Sequence, residues 1–156
     1  MVPAHRMRWL LNWMNLSTAA GLLLATAKRC DLRPGPDGLL LAFGYSGTLP
    51  VASAFTVGNV ILFRASAAAG TPRPALLAHE SRHSTQYAVC LGLPFLPLYF
   101  GAAAFSLLRT GDPASANIFE RRAGLADGGY VQRPVRPLAT SLSTVFAKRD
   151  HHDVQR

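Results

Sequence analysis

Two imidazoles and a carboxylate stand together in Leu76-Leu77-Ala78-His79-Glu80-Ser81-Arg82-His83-Ser84-Thr85-Gln86-Tyr87. On a helix, residues four apart share one face a turn apart, so His79 and His83 have the spacing at which two ring nitrogens reach one zinc ion. Glu80, directly after the first histidine, then stands beside the ion as a general base rather than as a ligand. A zinc ion takes four nitrogen, oxygen or sulfur ligands, one of them water in a catalytic site, so a third protein ligand is required. Glu80 and Glu120 are the only glutamates in the chain. By elimination Glu120 is the best candidate, with Asp112 and Asp127, both in turn-forming stretches, as weaker substitutes.

Gln86 falls one turn beyond His83 on nearly the same face. It is positioned either to hydrogen-bond a ligand ring or to make a contact between helices. Tyr87, Tyr130, His151 and His152 could each donate a proton to a transition state, and spacing favours none of them.

The elements that must position these groups are legible in outline. Apolar residues recur at helical spacing from Met7 to Lys28, giving one or two packing helices. Arg6 and Arg8 ahead of the apolar run Leu10 to Ala27 resemble a signal sequence, but Asn12, Asn15, Ser17 and Thr18 interrupt the run and favour a retained helix. Arg33-Pro34-Gly35-Pro36-Asp37-Gly38 is turn-forming, since proline and glycine end regular structure. Gly38 to Tyr45 reads as a short buried strand, and Val51 to Phe63, rich in β-branched and aromatic residues, as a second β segment with a bulge or tight bend at Gly58-Asn59.

Arg64 to Arg73 should be a flexible loop, and Pro74 suits the first turn of the motif helix. Ala88 to Leu108 holds no charge over 21 residues, long enough to span a bilayer. Pro94 and Pro97 interrupt it, so a bent, buried connection into a core helix over about Leu98 to Arg109 is the preferred reading. A second helix is expected from Ala114 to Leu125, ended by Asp127-Gly128-Gly129. The stretch 131–156 should be an extended or disordered tail beyond a single domain, 1–130.

Composition narrows the class. Hydrophobic residues make up 49% and charged ones 15%, which keeps a membrane surface or a protein complex open as a partner. The formal charge is +8, with 14 of the 16 basic residues arginine. These are scattered, with no basic run longer than two, so no specific nucleic-acid site is expected. Attraction to anionic lipid headgroups is at least as well supported. Cys30 and Cys90 read as two reduced core thiols, which fits a cytoplasmic protein, free or membrane-associated.

A resemblance adds to this reading. Ala54-Phe55-Thr56-Val57-Gly58-Asn59-Val60-Ile61-Leu62-Phe63, followed by Leu76-Leu77-Ala78-His79-Glu80 through His83 and Gln86, resembles the metallopeptidase-like domain found with extracellular contractile injection systems. There an A-F-T-x-G-x-x-I-x-F strand precedes an L-L-A-H-E-x-x-H-x-x-Q helix. Asn117-Ile118-Phe119-Glu120-Arg121-Arg122-Ala123 is similar to the N-x-x-E-x-x-A segment that supplies the third, glutamate ligand in gluzincins. The chain as a whole is also similar to small actinobacterial proteins.

The strict match covers about a quarter of the chain, and Arg82 stands where many relatives carry an apolar or small residue. The resemblance implies an α+β, zincin-like fold, with a small sheet or hairpin packed against the HExxH helix and a second ligand-bearing helix. It implies Zn2+ held by His79, His83 and Glu120, with Glu80 as base. Gln86, Asn117 and Tyr130 would be supporting or substrate-contacting residues. The strand bearing Phe55, Thr56, Gly58 and Asn59 would offer its backbone to an extended peptide substrate. The expected function is hydrolysis of a peptide or protein; the alternative is a non-catalytic zinc-stabilised module in a membrane-associated or multi-protein assembly.

Overall fold

Val60-Ile61-Leu62-Phe63 is an unbroken apolar run, and an unbroken run makes a strand only where both faces are covered. All four residues are buried, in one of the two interior strands of a sheet. The computed structural model describes residues 2–50, 52–65 and 72–136. Among them are five helices: α1 (Pro3–Met14), α2 (Ser17–Ala27), α3 (Pro74–Val89), α4 (Phe95–Thr110) and α5 (Ile118–Ala123). Four strands, β1 (Asp31–Pro34), β2 (Leu40–Tyr45), β3 (Ala54–Val57) and β4 (Val60–Arg64), form one mixed sheet in the order β1-β2-β4-β3. The protein is α+β.

β2 and β4 are parallel, while β1 and β3 run antiparallel to their neighbours. Alternation along β4 divides the core. Ile61 and Phe63 join Leu39, Leu41, Ala54 and Leu76 of α3, whereas Val60 and Leu62 join Ala25 of α2, Ala42 and Tyr45. Helix α2 comes so close that a Cβ on Gly21 would lie 2.5 Å from the carbonyl oxygen of Val57. Only glycine fits there.

The tight bend expected at Gly58-Asn59 is the turn of a hairpin, because Gly58 takes a left-handed φ of 61° and turns the chain with Asn59. A Cβ on Gly58 would stand 2.4 Å from the backbone nitrogen of Thr18. The turn-forming stretch after Leu32 begins as a strand: Asp31 to Pro34 pairs with Phe43 to Leu40 at the sheet's edge, where a residue without an N–H is tolerated. Its four residues are exposed, so it carries no hydrophobic alternation to reveal it.

The chain divides after Pro97 into two compact units. In the first, α3 lies against β3 and α1 against α3. Asn59, fully buried in the turn between β3 and β4, ties it to three helices, α1, α2 and α3: its Nδ2 donates to Trp9 O (3.1 Å), its backbone N–H to Thr18 Oγ1 (3.2 Å), and its Oδ1 accepts from Asn12 Nδ2 (3.0 Å) and Ser84 Oγ (3.2 Å). Asn12 Nδ2 also donates to Ser84 O at 2.9 Å. Asn59→Ala should therefore lower stability by about 2–4 kcal/mol, because it removes three buried side-chain hydrogen bonds, to Trp9, Asn12 and Ser84, at once. Urea unfolding checks this; a loss under about 0.5 kcal/mol, the range of ordinary surface changes, would show that the network relaxes around the gap.

In the second unit, the expected helix Ala114 to Leu125 shrinks to α5. Asp112 Oδ1 accepts from the backbone N–H groups of Ala114 (3.0 Å) and Ser115 (2.7 Å), which holds that stretch in turns. Asn117 then caps α5 by accepting from Phe119 N–H, and Gly124, at φ 88°, ends it. Helix α4 is not a core helix. Its Leu98, Phe100, Phe105, Leu107 and Leu108 are exposed. No helix among the described residues is long and apolar enough to cross a membrane. Val131 to Arg136 is exposed and has no regular structure, but Arg136 N–H donates to Arg109 O at 2.7 Å. The rest of the expected tail, 137–156, with His151 and His152, lies outside the described residues, as do 66–71 of the expected loop.

Candidate metal centre

Helix α3 begins at Pro74, whose missing N–H costs nothing in a first turn, and buries Leu76, His79, Glu80, His83, Ser84 and Tyr87. These fall at helical spacing on the side that faces the sheet and α1. The histidines are thus carried inward by the same stripe that supplies Leu76 to the core. Their rings meet edge to face with centroids 4.7 Å apart, and the two Nε2 atoms are 3.1 Å apart. His83 Nδ1 is 2.8 Å from Gln86 Oε1. A carbonyl oxygen there accepts from Nδ1–H and leaves a lone pair on Nε2, the tautomer a metal needs.

Glu80 is buried, and the Thr56 hydroxyl on β3 donates to its Oε2 at 2.7 Å. The same hydroxyl lies 3.1 Å from the backbone oxygen of Glu80. Thr56 thus points into the protein and fixes the carboxylate of α3. Phe55 is half-buried against Tyr45, with ring centroids 4.9 Å apart; Gly58 and Asn59 are in the hairpin turn, buried beneath α2 and α1. Ser81, inside the motif, accepts from Arg8 Nη1 at 2.9 Å, and burial pushes the Arg8 guanidinium below its usual pKa. Arg82 faces outward.

Tyr87 is fully buried beside Phe95, at a centroid distance of 4.6 Å. Burial, and then the nearby charge of Glu80, push its hydroxyl well above the ordinary phenol pKa, so it stays protonated at every working pH.

In the second unit, Glu120 is buried on α5 and accepts a short hydrogen bond from the Tyr99 hydroxyl of α4. Tyr99 was not singled out in the sequence, where it is one aromatic among many in an uncharged run. Asn117 serves α5 as its cap. Tyr130 is half-buried at the end of the turn after α5, its backbone N–H donating to Leu125 O at 2.9 Å. Asp112 is committed to its turn, where three hydrogen bonds from Ala114 and Ser115 outweigh the effect of burial and hold its carboxyl below the usual range.

His79, His83 and Glu120 each offer one ligand atom, and these atoms all lie within 4.8 Å of one another. A buried His-His-Glu group of this kind can bind a metal ion. Comparison with family models, curated proteins and solved structures returns no match. The fit to a metal therefore rests on the donor set. Bonds of about 2.0–2.1 Å in tetrahedral geometry space two nitrogens about 3.3 Å apart, close to the separation of the two Nε2 atoms. Two imidazoles and a carboxylate are a borderline donor set that suits zinc.

Proposed function

We propose that this chain is a zinc metallopeptidase of the gluzincin type, with His79, His83 and Glu120 holding the ion. The observation that carries the reading is the buried His-His-Glu group, with a second carboxylate, Glu80, next to the first ligand on the same helix. When bound, zinc supplies Lewis acidity toward a substrate carbonyl and brings the pKa of its water to about 7.

The chain's own groups do the rest. Glu80 takes a proton from the attacking water and delivers it to the leaving amine. Thr56, on Oε2, keeps that carboxylate from rotating away. Gln86 holds His83 in the tautomer that ligates, and the Tyr99 hydroxyl orients Glu120. The fold is read as zincin-like, in which β3, last in the sheet and next to α3, is the strand along which an extended peptide or protein substrate lies. Cys30 and Cys90 are free, which fits a reducing compartment such as the cytoplasm.

Metal analysis tests the reading. The purified protein should carry about one zinc per chain, and a protein that takes up no stoichiometric zinc after reconstitution would sink it.

One observation favours a second reading, a zinc that only braces the fold within a larger assembly: the candidate ligands are nearly closed off, with His79, His83 and Glu120 exposed by only 2%, 7% and 2%. X-ray absorption at the zinc edge separates the two, since a structural ion has a fourth protein ligand where a catalytic one has water.

A further inference from the structure

Helix α1 is built with its polar side inward. Surface helices bury an apolar stripe and turn polar residues to water. Here the side chains turned to the body are His5, Arg8, Asn12 and Asn15, with Arg8 and Asn12 fully buried. Arg8 donates to Ser81 and Asn12 to Ser84 and Asn59, so the polar stripe is satisfied inside. Met7, Trp9, Leu10, Leu11, Trp13 and Met14 are all exposed. At about 100° per residue, Leu10, Met14, Trp13 and Arg6 centre on the side opposite Arg8 and Asn12. Arg6 is the only charge on that outward arc, and its long stem can carry the guanidinium back to water.

The face continues past the helix. Leu16 follows at the elbow to α2, with φ 63°, and is 65% exposed. Leu91, with φ 60°, is 78% exposed, and its neighbour Gly92 sits against Asn15, where a Cβ would be 2.7 Å from Cγ. Two leucines in the left-handed region, both turned to solvent beside the end of α1, are a conformation leucine rarely adopts.

The charge around this face selects its occupant. Between Met1 and Pro97 the chain has eight basic residues and three acidic ones. Asp31 is paired with Arg33 at 2.7 Å, Asp37 with His5 at 2.9 Å, and Glu80 is buried. The unit is therefore cationic, with tryptophan and leucine exposed on one helix, the pattern of a helix lying in the plane of an anionic bilayer. Pairing with a second copy through α1 would instead bring two cationic units and two Arg6 side chains together. With 12 residues, α1 cannot span.

We propose that α1 docks this protein on an anionic phospholipid surface, with Trp9, Leu10, Trp13 and Met14 entering the headgroup region. Trp9 and Trp13 are the only tryptophans in the chain, so intrinsic fluorescence reads this face alone. The full-length protein is mixed with phosphatidylcholine vesicles, with or without phosphatidylglycerol. The expected result is a blue-shifted emission, quenching by brominated acyl chains, and partition at least about tenfold stronger with the anionic lipid. Leu10→Glu/Met14→Glu, at exposed positions, should abolish the shift and the partition while the melting curve is kept. Four outcomes overturn the proposal: no partition into either vesicle, equal partition into both, unchanged partition of the folded double variant, or a solution dimer that the same variant dissociates. Quenching needs no variant, so a failure of the variant to fold leaves the test decisive.

Discussion

Glu80→Gln is expected to keep the fold and the zinc while peptide hydrolysis falls by about 10²–10⁴-fold, the usual contribution of a positioned general base. The substitution is nearly isosteric, and the glutamine carbonyl oxygen can still accept from the Thr56 hydroxyl that now lies 2.7 Å from Oε2. What is lost is the capacity to take a proton. Zinc content, circular dichroism and turnover of a peptide library are measured on the same preparation. A variant that retains zinc and cleaves like the wild type would remove Glu80 from the mechanism. Thr56→Val divides the effect further, since it leaves the carboxylate in place but frees it to rotate, and a smaller loss in kcat is expected, with zinc content unchanged.

His79→Ala/His83→Ala should abolish zinc binding and with it the zinc dependence of the melting temperature. A ligand that binds only the folded state at about a thousand times its Kd stabilises by about 4 kcal/mol. For a chain of this length that is a shift of roughly 8–16 °C. The wild type should lose that increment in a chelator and regain it with zinc. The double variant should melt at one temperature in both conditions, whatever the cost of deleting two buried rings. The comparison isolates the metal from packing, and a wild type whose melting point ignores zinc and chelator alike would contradict the proposed centre. Both the catalytic and the bracing readings predict this shift; only the first predicts the loss in Glu80→Gln.

Much of the candidate centre was legible because its geometry is local. The i, i+4 spacing of His79 and His83 on a helix sets their common face, and the i, i+3 step to Gln86 brings its side chain to the ring. The apolar run of β4 and the Gly58-Asn59 punctuation likewise carried a β segment with a bend. What misled was context. The polar residues that interrupt the apolar run have two causes: Asn12 lies on the inward side of α1, and Asn15 and Ser17 fall where α1 gives way to α2. The uncharged run that makes most of α4 looked like core, but it exposes much of its apolar surface.

Taken alone, the sequence determined the helix that carries the histidines, the strand run ahead of it and the identity of the two scarce glutamates, because periodicity and short-range spacing are properties of neighbours along the chain. Only the tertiary structure decided that β2 and β4 pair in parallel, that Pro34 ends an edge strand, that Thr56 reaches Glu80 and Tyr99 reaches Glu120, and that α1 turns its polar stripe inward. Each of these joins groups separated by many residues or depends on which side of an element is covered. That is set by how the elements pack, and no local pattern encodes it.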